Sequence, residues 1–376
     1  MNSGSDATEL TKRIVRMNTI NPPGNEEACA RVLGALLESA GFACRYYSIG
    51  SGRASLVARI GRGDQPMLCM TGHLDTVPLG AAPWRTPEFD GEIDGNRLLG
   101  RGTSDMKAGV AAMVIAGMRR AKSIGRSAAG LEFVLTAGEE TGCDGARDLV
   151  DRPAALGRAG AVLVAEPTAN YPVIGHKGAL WLKGTCRGVT AHGSMPERGV
   201  NALYKLARAI TKLETCTIDS PVHPLMGRTT LNLGTARGGL NTNSVPDSAE
   251  MNIDIRTVPG RDHAAIIAQL QQLLGDDVEL GTLVDCPVIC TDPGDEWVQS
   301  VYEIVRPYLA EPARAQTATY FTDAAVLSPA YGSVPTVVLG PGEPTMAHKT
   351  DEYCDIERLE NSVPIYEEII GRWCGV

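Results

Sequence analysis

The stretch MLCMTGHLDTVP, Met67 to Pro78, decides how the chain is read. Its first five residues form an apolar run that suits a buried strand, and the run delivers His73 and Asp75 just past the strand. Two residues apart in extended backbone, these side chains share a face. Ligands of open α/β sheets bind beyond the carboxyl ends of the strands, where both would stand. His73 is either a metal ligand whose tautomer Asp75 holds, or a hydrogen-bonded structural histidine.

Working outward, residues 54–60, 131–137 and 161–165 repeat the buried-strand pattern, while 26–40 and 107–124 carry apolar residues at helical spacing. Ser104 or Asp105 is placed to cap the second helix, which begins after Gly102. Strand alternating with helix predicts an α/β fold: a mixed, mostly parallel sheet with helices on both faces. The middle third changes rhythm. Strand 178–188, helix 199–213, strands 229–235 and 248–256, helix 262–274 and strand 278–284 give the order β-α-β-β-α-β. That order builds a ferredoxin-like α+β unit, a four-stranded antiparallel sheet with two helices on one side. The first rhythm returns with helix 296–309, strand 334–339 and helix 356–373. We therefore expect a discontinuous domain of residues 1–175 and 288–376, interrupted by an inserted domain of residues 176–287.

Composition narrows the function classes. The 376 residues carry 44 acidic and 35 basic side chains, a net charge of −9 that would repel a phosphate backbone, so nucleic-acid binding is not expected. No run of 18 apolar residues occurs, and the amino terminus lacks the basic patch and apolar core of a signal peptide; neither a membrane anchor nor export is expected, and a cytoplasmic location is. The ten cysteines include no C-x-x-C pair and read mostly as small buried hydrophobes.

Four further segments carry chemistry. GRGTSDMKAG places Asp105 among glycines at a helix start, as a helix cap or a ligand. TAGEETG sets Glu139 and Glu140 directly after an apolar strand; adjacent glutamates there are either solvated or buried beside a cation. AEPT puts Glu166 at another strand end, and the strand 334–339 leads through Gly340-Pro341-Gly342 to His348. Five separate segments thus bring imidazoles and carboxylates to one edge of one sheet. Such a set suits zinc, cobalt or manganese. Two ions about 3.5–4 Å apart can share one carboxylate, activate a water and polarise a carbonyl. One member of the Glu139–Glu140 pair can then bind metal while the other acts as base.

In their order and spacing, NPPGNE (residues 21–26), GHLDTVP, GRGTSDMKAG, GEETG, AEPT and AHKTDEY closely resemble the M20 family of metallopeptidases and deacylases, nearly end to end. The resemblance implies that His73 and Glu166 hold one metal, that Glu140 and His348 hold the other, and that Asp105 bridges them. The two ions would be zinc, with cobalt or manganese as alternatives. It makes Asp75 the partner of His73 and Glu139 the base for the water between the ions. It also implies a cis Asp105–Met106 peptide. In the inserted domain, TAHGSMP (residues 190–196) supplies His192, which would reach the active site of a dimer partner and stabilise the oxyanion. Asn243 would help hold the acyl group or the oxyanion, and Arg256 a substrate carboxylate; Thr322 would lie on the substrate side. His176 and Lys177 read as structural. The expected activity is hydrolysis of the amide bond of a small N-acyl amino acid by a homodimer joined through the inserted domain. Dipeptide or carboxyl-terminal cleavage, hydrolytic deamination, and a non-catalytic metal-binding role are the alternatives.

Overall fold

The computed structural model describes residues 5–376; residues 1–4, part of the stretch read for a leader, lie outside the described residues. Helices α1 (Ser5–Val15) and α2 (Glu27–Ser39) precede strands β1 (Ala43–Gly50), β2 (Arg53–Ile60) and β3 (Met67–His73). Then come β4 (Ile93–Asp94), β5 (Arg97–Leu99), α3 (Ala108–Ile124), β6 (Leu131–Thr136), α4 (Asp144–Asp151) and β7 (Ala159–Val164). The middle of the chain forms β8 (Gly175–His176), β9 (Gly178–Arg187), α5 (Ala202–Glu214), β10 (Thr230–Gly238), β11 (Ser248–Thr257), α6 (His263–Leu274), β12 (Glu279–Cys286) and β13 (Ile289–Cys290). It ends with α7 (Glu296–Val305), α8 (Ala324–Ala330), β14 (Thr336–Val338), β15 (Tyr353–Asp355) and α9 (Ile356–Cys374). By internal contacts the chain divides into two compact units. One runs to Gly175 and adds Ile289–Gln316 and Thr322–Val376; the other is His176–Val288 with Thr317–Phe321.

The first unit is built on a six-stranded sheet in the order β1-β2-β6-β3-β7-β14. β1, β2 and β6 pair antiparallel, whereas β6, β3, β7 and β14 pair parallel. The mixed, mostly parallel sheet expected from the sequence is therefore present. Its parallel strands are apolar throughout because both faces are covered. On β2, Leu56 and Ala58 turn into the core that holds α2 and α3, while Ser55 faces α4 on the other side, against Gly145. The register sets the functional edge: His73 lies opposite Thr136, Thr71 opposite Val164, and Val164 opposite Val338. Four parallel strands end almost level, so whatever follows each of them emerges at one edge.

Helix α3 reaches that edge at its amino end. Gly109 is required there, because a Cβ would stand 2.1 Å from the Ala165 carbonyl oxygen. The sequence reading needs one correction at this point. Neither Ser104 nor Asp105 caps α3: the helix starts at Ala108 without a side-chain cap. Both residues instead lie in a wide turn, Thr103–Lys107, entered through Gly102 at φ +86°, and Asp105 and Met106 have non-helical torsions. The Ser104 hydroxyl donates to the Tyr353 carbonyl at 2.6 Å and accepts the Glu343 N–H at 2.8 Å, so it is turned away from the start of α3. The Asp105–Met106 peptide is cis. Lys107, with no exposed surface, donates through Nζ to the carbonyls of Ile14 and Met17 at 3.0 and 2.9 Å.

Helices α1, α4 and α8 and strand β1 go beyond the elements read from the sequence. β1 is an edge strand with a half-exposed alternating pattern, which dilutes its apolar signal.

The second unit has the antiparallel sheet β10-β11-β9-β12 with α5 and α6. On β11, Ala249, Met251, Ile253 and Ile255 are buried with Leu206 of α5 and Leu270 of α6. Asp254 and Arg256 occupy the opposite face, as the strand period of two demands. Thr317–Phe321 belongs here because Ala318 accepts the Lys177 N–H at 3.1 Å and the Phe321 ring meets Trp181 edge-on, 5.9 Å between centroids. Among the described residues, no helix is long and apolar enough to cross a membrane.

Candidate metal centre

The level strand ends bring five predicted ligands together. His73 Nε2 stands 3.0 Å from Asp105 Oδ1 and 3.5 Å from Glu166 Oε1. His348 Nε2 stands 3.4 Å from Asp105 Oδ2 and 3.1 Å from Glu140 Oε2. The two oxygens of Asp105 therefore face different imidazoles, each with its own glutamate. His73, Glu139 and Glu166 offer donor atoms within 4.8 Å of one another, as do His73, Asp105 and Glu140. His73, Asp105, Glu139 and Glu166 are buried, whereas 57% of the His348 side chain is exposed. The rim thus opens at His348. That residue holds φ +63°, a left-handed torsion uncommon for a residue with a side chain.

Asp75 organises the floor. Its Oδ1 accepts the Glu139 N–H at 3.1 Å, and its Oδ2 accepts the Glu140 N–H at 3.2 Å and Asn21 Nδ2 at 2.9 Å. His73 Nδ1 lies 3.0 Å from the Asp75 carbonyl and 3.5 Å from its carboxylate, which assigns a proton to Nδ1 and leaves Nε2 to face Asp105. One buried carboxylate thus fixes an imidazole and the backbone of both glutamates.

Charge in this centre is unbalanced. Burial, reinforced by neighbouring carboxylates, pushes Glu139 and Glu166 well above the usual carboxylate range and also raises Glu140. Burial alone would lower His73, but Glu166, Asp105 and Asp75 lift it well above its ordinary value. Hydrogen bonds with Asp105 and Glu140 push His348 up to about 10. Glu140 Oε1 is buried with no hydrogen-bond partner. Buried carboxylates require compensating charge, and an orphaned oxygen among two imidazoles and three further acids is what a divalent-cation site leaves when only protein atoms are counted. The donor set fits two borderline cations sharing Asp105.

Of the other predicted residues, Thr322 is fully buried and its hydroxyl accepts the Ala324 N–H at 3.1 Å, a local duty at the start of α8. His192, Asn243 and Arg256 are on the second unit. His192 is exposed, and its Nδ1 accepts the Ser194 N–H at 3.2 Å, which leaves Nε2 to carry a proton. The Gly193 N–H donates to the Asn243 carbonyl at 2.8 Å, tying the two loops together. Arg256 Nε is 2.9 Å from Asp254, which also accepts Trp181 Nε1 at 2.9 Å, and its guanidinium lies over the Trp181 and Phe321 rings at 5.9 and 5.7 Å. Sequence reasoning gave no role to Asn21, Arg101, Lys107 or Glu352. Asn21 and Glu352 stand inside quoted motifs, but Asn21 bonds to Asp75 and Thr141 and Glu352 to Arg101 and three backbone N–H groups, all distant in sequence, and such contacts leave no pattern along the chain.

The sequence profile of peptidase family M20/M25/M40 matches residues 69–372, most of the chain. The chain belongs to this family. It is 30% identical to an acetylornithine deacetylase of Proteus mirabilis, over 93% of this chain and 91% of that one. It is 29% identical to a probable succinyl-diaminopimelate desuccinylase of Staphylococcus epidermidis, covering 98% and 97%. Its fold matches that of a dinuclear metal-binding M20 peptidase of Bacillus subtilis, with a TM-score of 0.72 at 14% identity, covering 99% of both chains. This M20 protein is accordingly a metal-dependent hydrolase of amide bonds.

Proposed function

We propose that this M20 protein removes the acyl group from a small N-acyl amino acid or a similar carboxylate-bearing compound, using two divalent ions. The observation that carries the reading is the division of Asp105 between His73 with Glu166 and His348 with Glu140. Those five residues would hold the ions, with zinc favoured by the imidazole and carboxylate donors and cobalt or manganese compatible with them. When bound, the ions supply Lewis acidity that activates water and polarises the substrate carbonyl. Glu139 is free of that duty. As a base it takes a proton from the attacking water and hands it to the departing nitrogen. Asp75 keeps Glu139 in reach by holding its N–H. His192 Nε2 is assigned to donate to the oxyanion. Arg256, steered by Asp254 and two aromatic rings, is assigned to a substrate carboxylate, and Asn243 to the acyl group.

The relatives are named for N-acetyl and N-succinyl substrates, which supports an acyl amino acid over a long peptide. A homodimer through the inserted unit is supported by its exposed Leu240, Tyr204 and Val189 and by the edge strand β10. Ten free thiols suit a cytoplasmic, reducing setting.

A panel of N-acetyl, N-succinyl and N-carbamoyl amino acids and dipeptides, assayed with and without chelator, tests the reaction. Chelator-insensitive turnover would refute it. Glu139→Gln is expected to lower kcat by about 10²–10⁴ while two ions per chain remain bound; near-normal turnover would remove Glu139 as base.

A further inference from the structure

Glu352 takes no part in the proposed chemistry, yet it is fully buried directly behind Asp105. Its Oε1 accepts the N–H groups of Ser104 and Asp105 at 2.8 and 2.9 Å. Its Oε2 accepts the Gly102 N–H at 2.9 Å and Arg101 Nη1 at 2.7 Å. Three of these donors come from a turn outside any helix or strand ladder, where buried N–H groups must find a partner. Glu352 is that partner for Gly102, Ser104 and Asp105 together.

We propose that Glu352 is a positioning residue that sets the Asp105 carboxylate in its ligating place before any ion arrives. The inference rests on the two-ion reading above. Four donors converge on its two oxygens, so the carboxylate grips the turn on both sides of Ser104 and fixes the direction in which Asp105 leaves it. Glu352 lies four residues after His348, whose Nε2 faces the same Asp105 at 3.4 Å. One segment therefore supplies an ion-binding imidazole and also steers the carboxylate that this imidazole shares. The rival role is charge balance alone. Arg101 is 1% exposed, and its Nη2 donates to the Pro78 carbonyl at 3.2 Å, so a buried guanidinium also needs the anion.

Glu352→Asp separates the two roles. It keeps a negative charge for Arg101 but is one methylene too short to span the turn. Zinc or manganese titrated by calorimetry into chelator-stripped protein is expected to bind at least tenfold more weakly to Glu352→Asp and to Glu352→Gln than to the unchanged protein. Equal affinity in a folded variant, checked by circular dichroism, overturns the proposal. If the variants do not fold, hydrogen exchange on the unchanged, chelator-stripped protein decides: the Gly102, Ser104 and Asp105 amides are expected to exchange at least 100-fold more slowly than in an open chain. Exchange at open-chain rates overturns the proposal. Unchanged protein that takes up no pair of ions refutes the two-ion reading and this inference with it, whereas paired ions with indifferent variants refute the inference only.

Discussion

Replacing Asp75 by Asn removes one charge and almost no volume, so its effect isolates the carboxylate. Oδ1 holds one backbone N–H and Oδ2 holds a second N–H together with Asn21 Nδ2. An amide has one oxygen. Its best orientation puts that oxygen on the Oδ2 side, which keeps the Glu140 N–H and Asn21, and turns an NH₂ group onto the Glu139 N–H. One buried donor is then unpaired, at about 1–3 kcal/mol, and the surviving bonds lose their ionic strengthening, about 1 kcal/mol more. A total of about 2–4 kcal/mol, exerted on the loop that carries Glu139 and Glu140, the proposed base and metal ligand, corresponds to roughly 30- to 1000-fold in rate or affinity. The assay is a chelator-competition titration of zinc, with kcat and KM measured on the best acylated amino acid. Asp75→Asn is expected to bind zinc at least tenfold more weakly and to lose kcat more than KM. A variant within threefold of the unchanged protein in both measurements would refute the assignment of Asp75 as organiser of the floor.

His176 should make stability depend on pH. Burial lowers it from 6.5 to about 4. The unfolded chain therefore takes up the proton first as pH falls; its contribution is intact above about 6.5 and is lost progressively towards pH 4, by about 3 kcal/mol. Urea midpoints of His176→Gln should change less between pH 7 and 4.5 than those of the unchanged protein, and parallel curves would count against it. Gly109→Ala pushes a methyl group against the Ala165 carbonyl, 2.1 Å away and next to Glu166. A loss of about 1–3 kcal/mol in urea unfolding is expected, with weaker metal binding; unchanged unfolding and affinity would show that α3 can shift freely. Chelation should lower the thermal midpoint, since ions held at 100 times their Kd contribute about 2.7 kcal/mol per site. Superimposable melting curves would show that the ions do not stabilise the fold.

The candidate ligands were legible because parallel strands ending level must discharge their next residues at one edge, and the apolar runs before His73, the Glu139–Glu140 pair and Glu166 mark those ends. The sequence pattern could not reveal the turn at Thr103–Lys107. A carboxylate just ahead of a helical run looks like a cap whether it bonds to N–H groups or faces two imidazoles, and only the fold distinguishes the cases. Glu352 and Asn21 were invisible for a related reason: their partners are main-chain N–H groups or side chains far away in sequence, Arg101 for Glu352 and Asp75 and Thr141 for Asn21, so no residue type near them signals the contact. Thr322 was read from family position alone, since a buried hydroxyl that accepts the Ala324 N–H at the start of α8 leaves no signal in the sequence. Edge strand β1 escaped because its packing is one-sided and weak in pattern.

Lys107 ties the catalytic edge to the first helix. Its ammonium has no exposed surface and is bonded to carbonyl oxygens at the end of α1 and in the turn after it. Trimming the protein ahead of residue 18, by protease or by choice of cloning boundary, would strand a cation in the interior two positions from the shared aspartate. The opening helix is thus part of the machinery, and an assay on a shortened chain would measure a damaged enzyme.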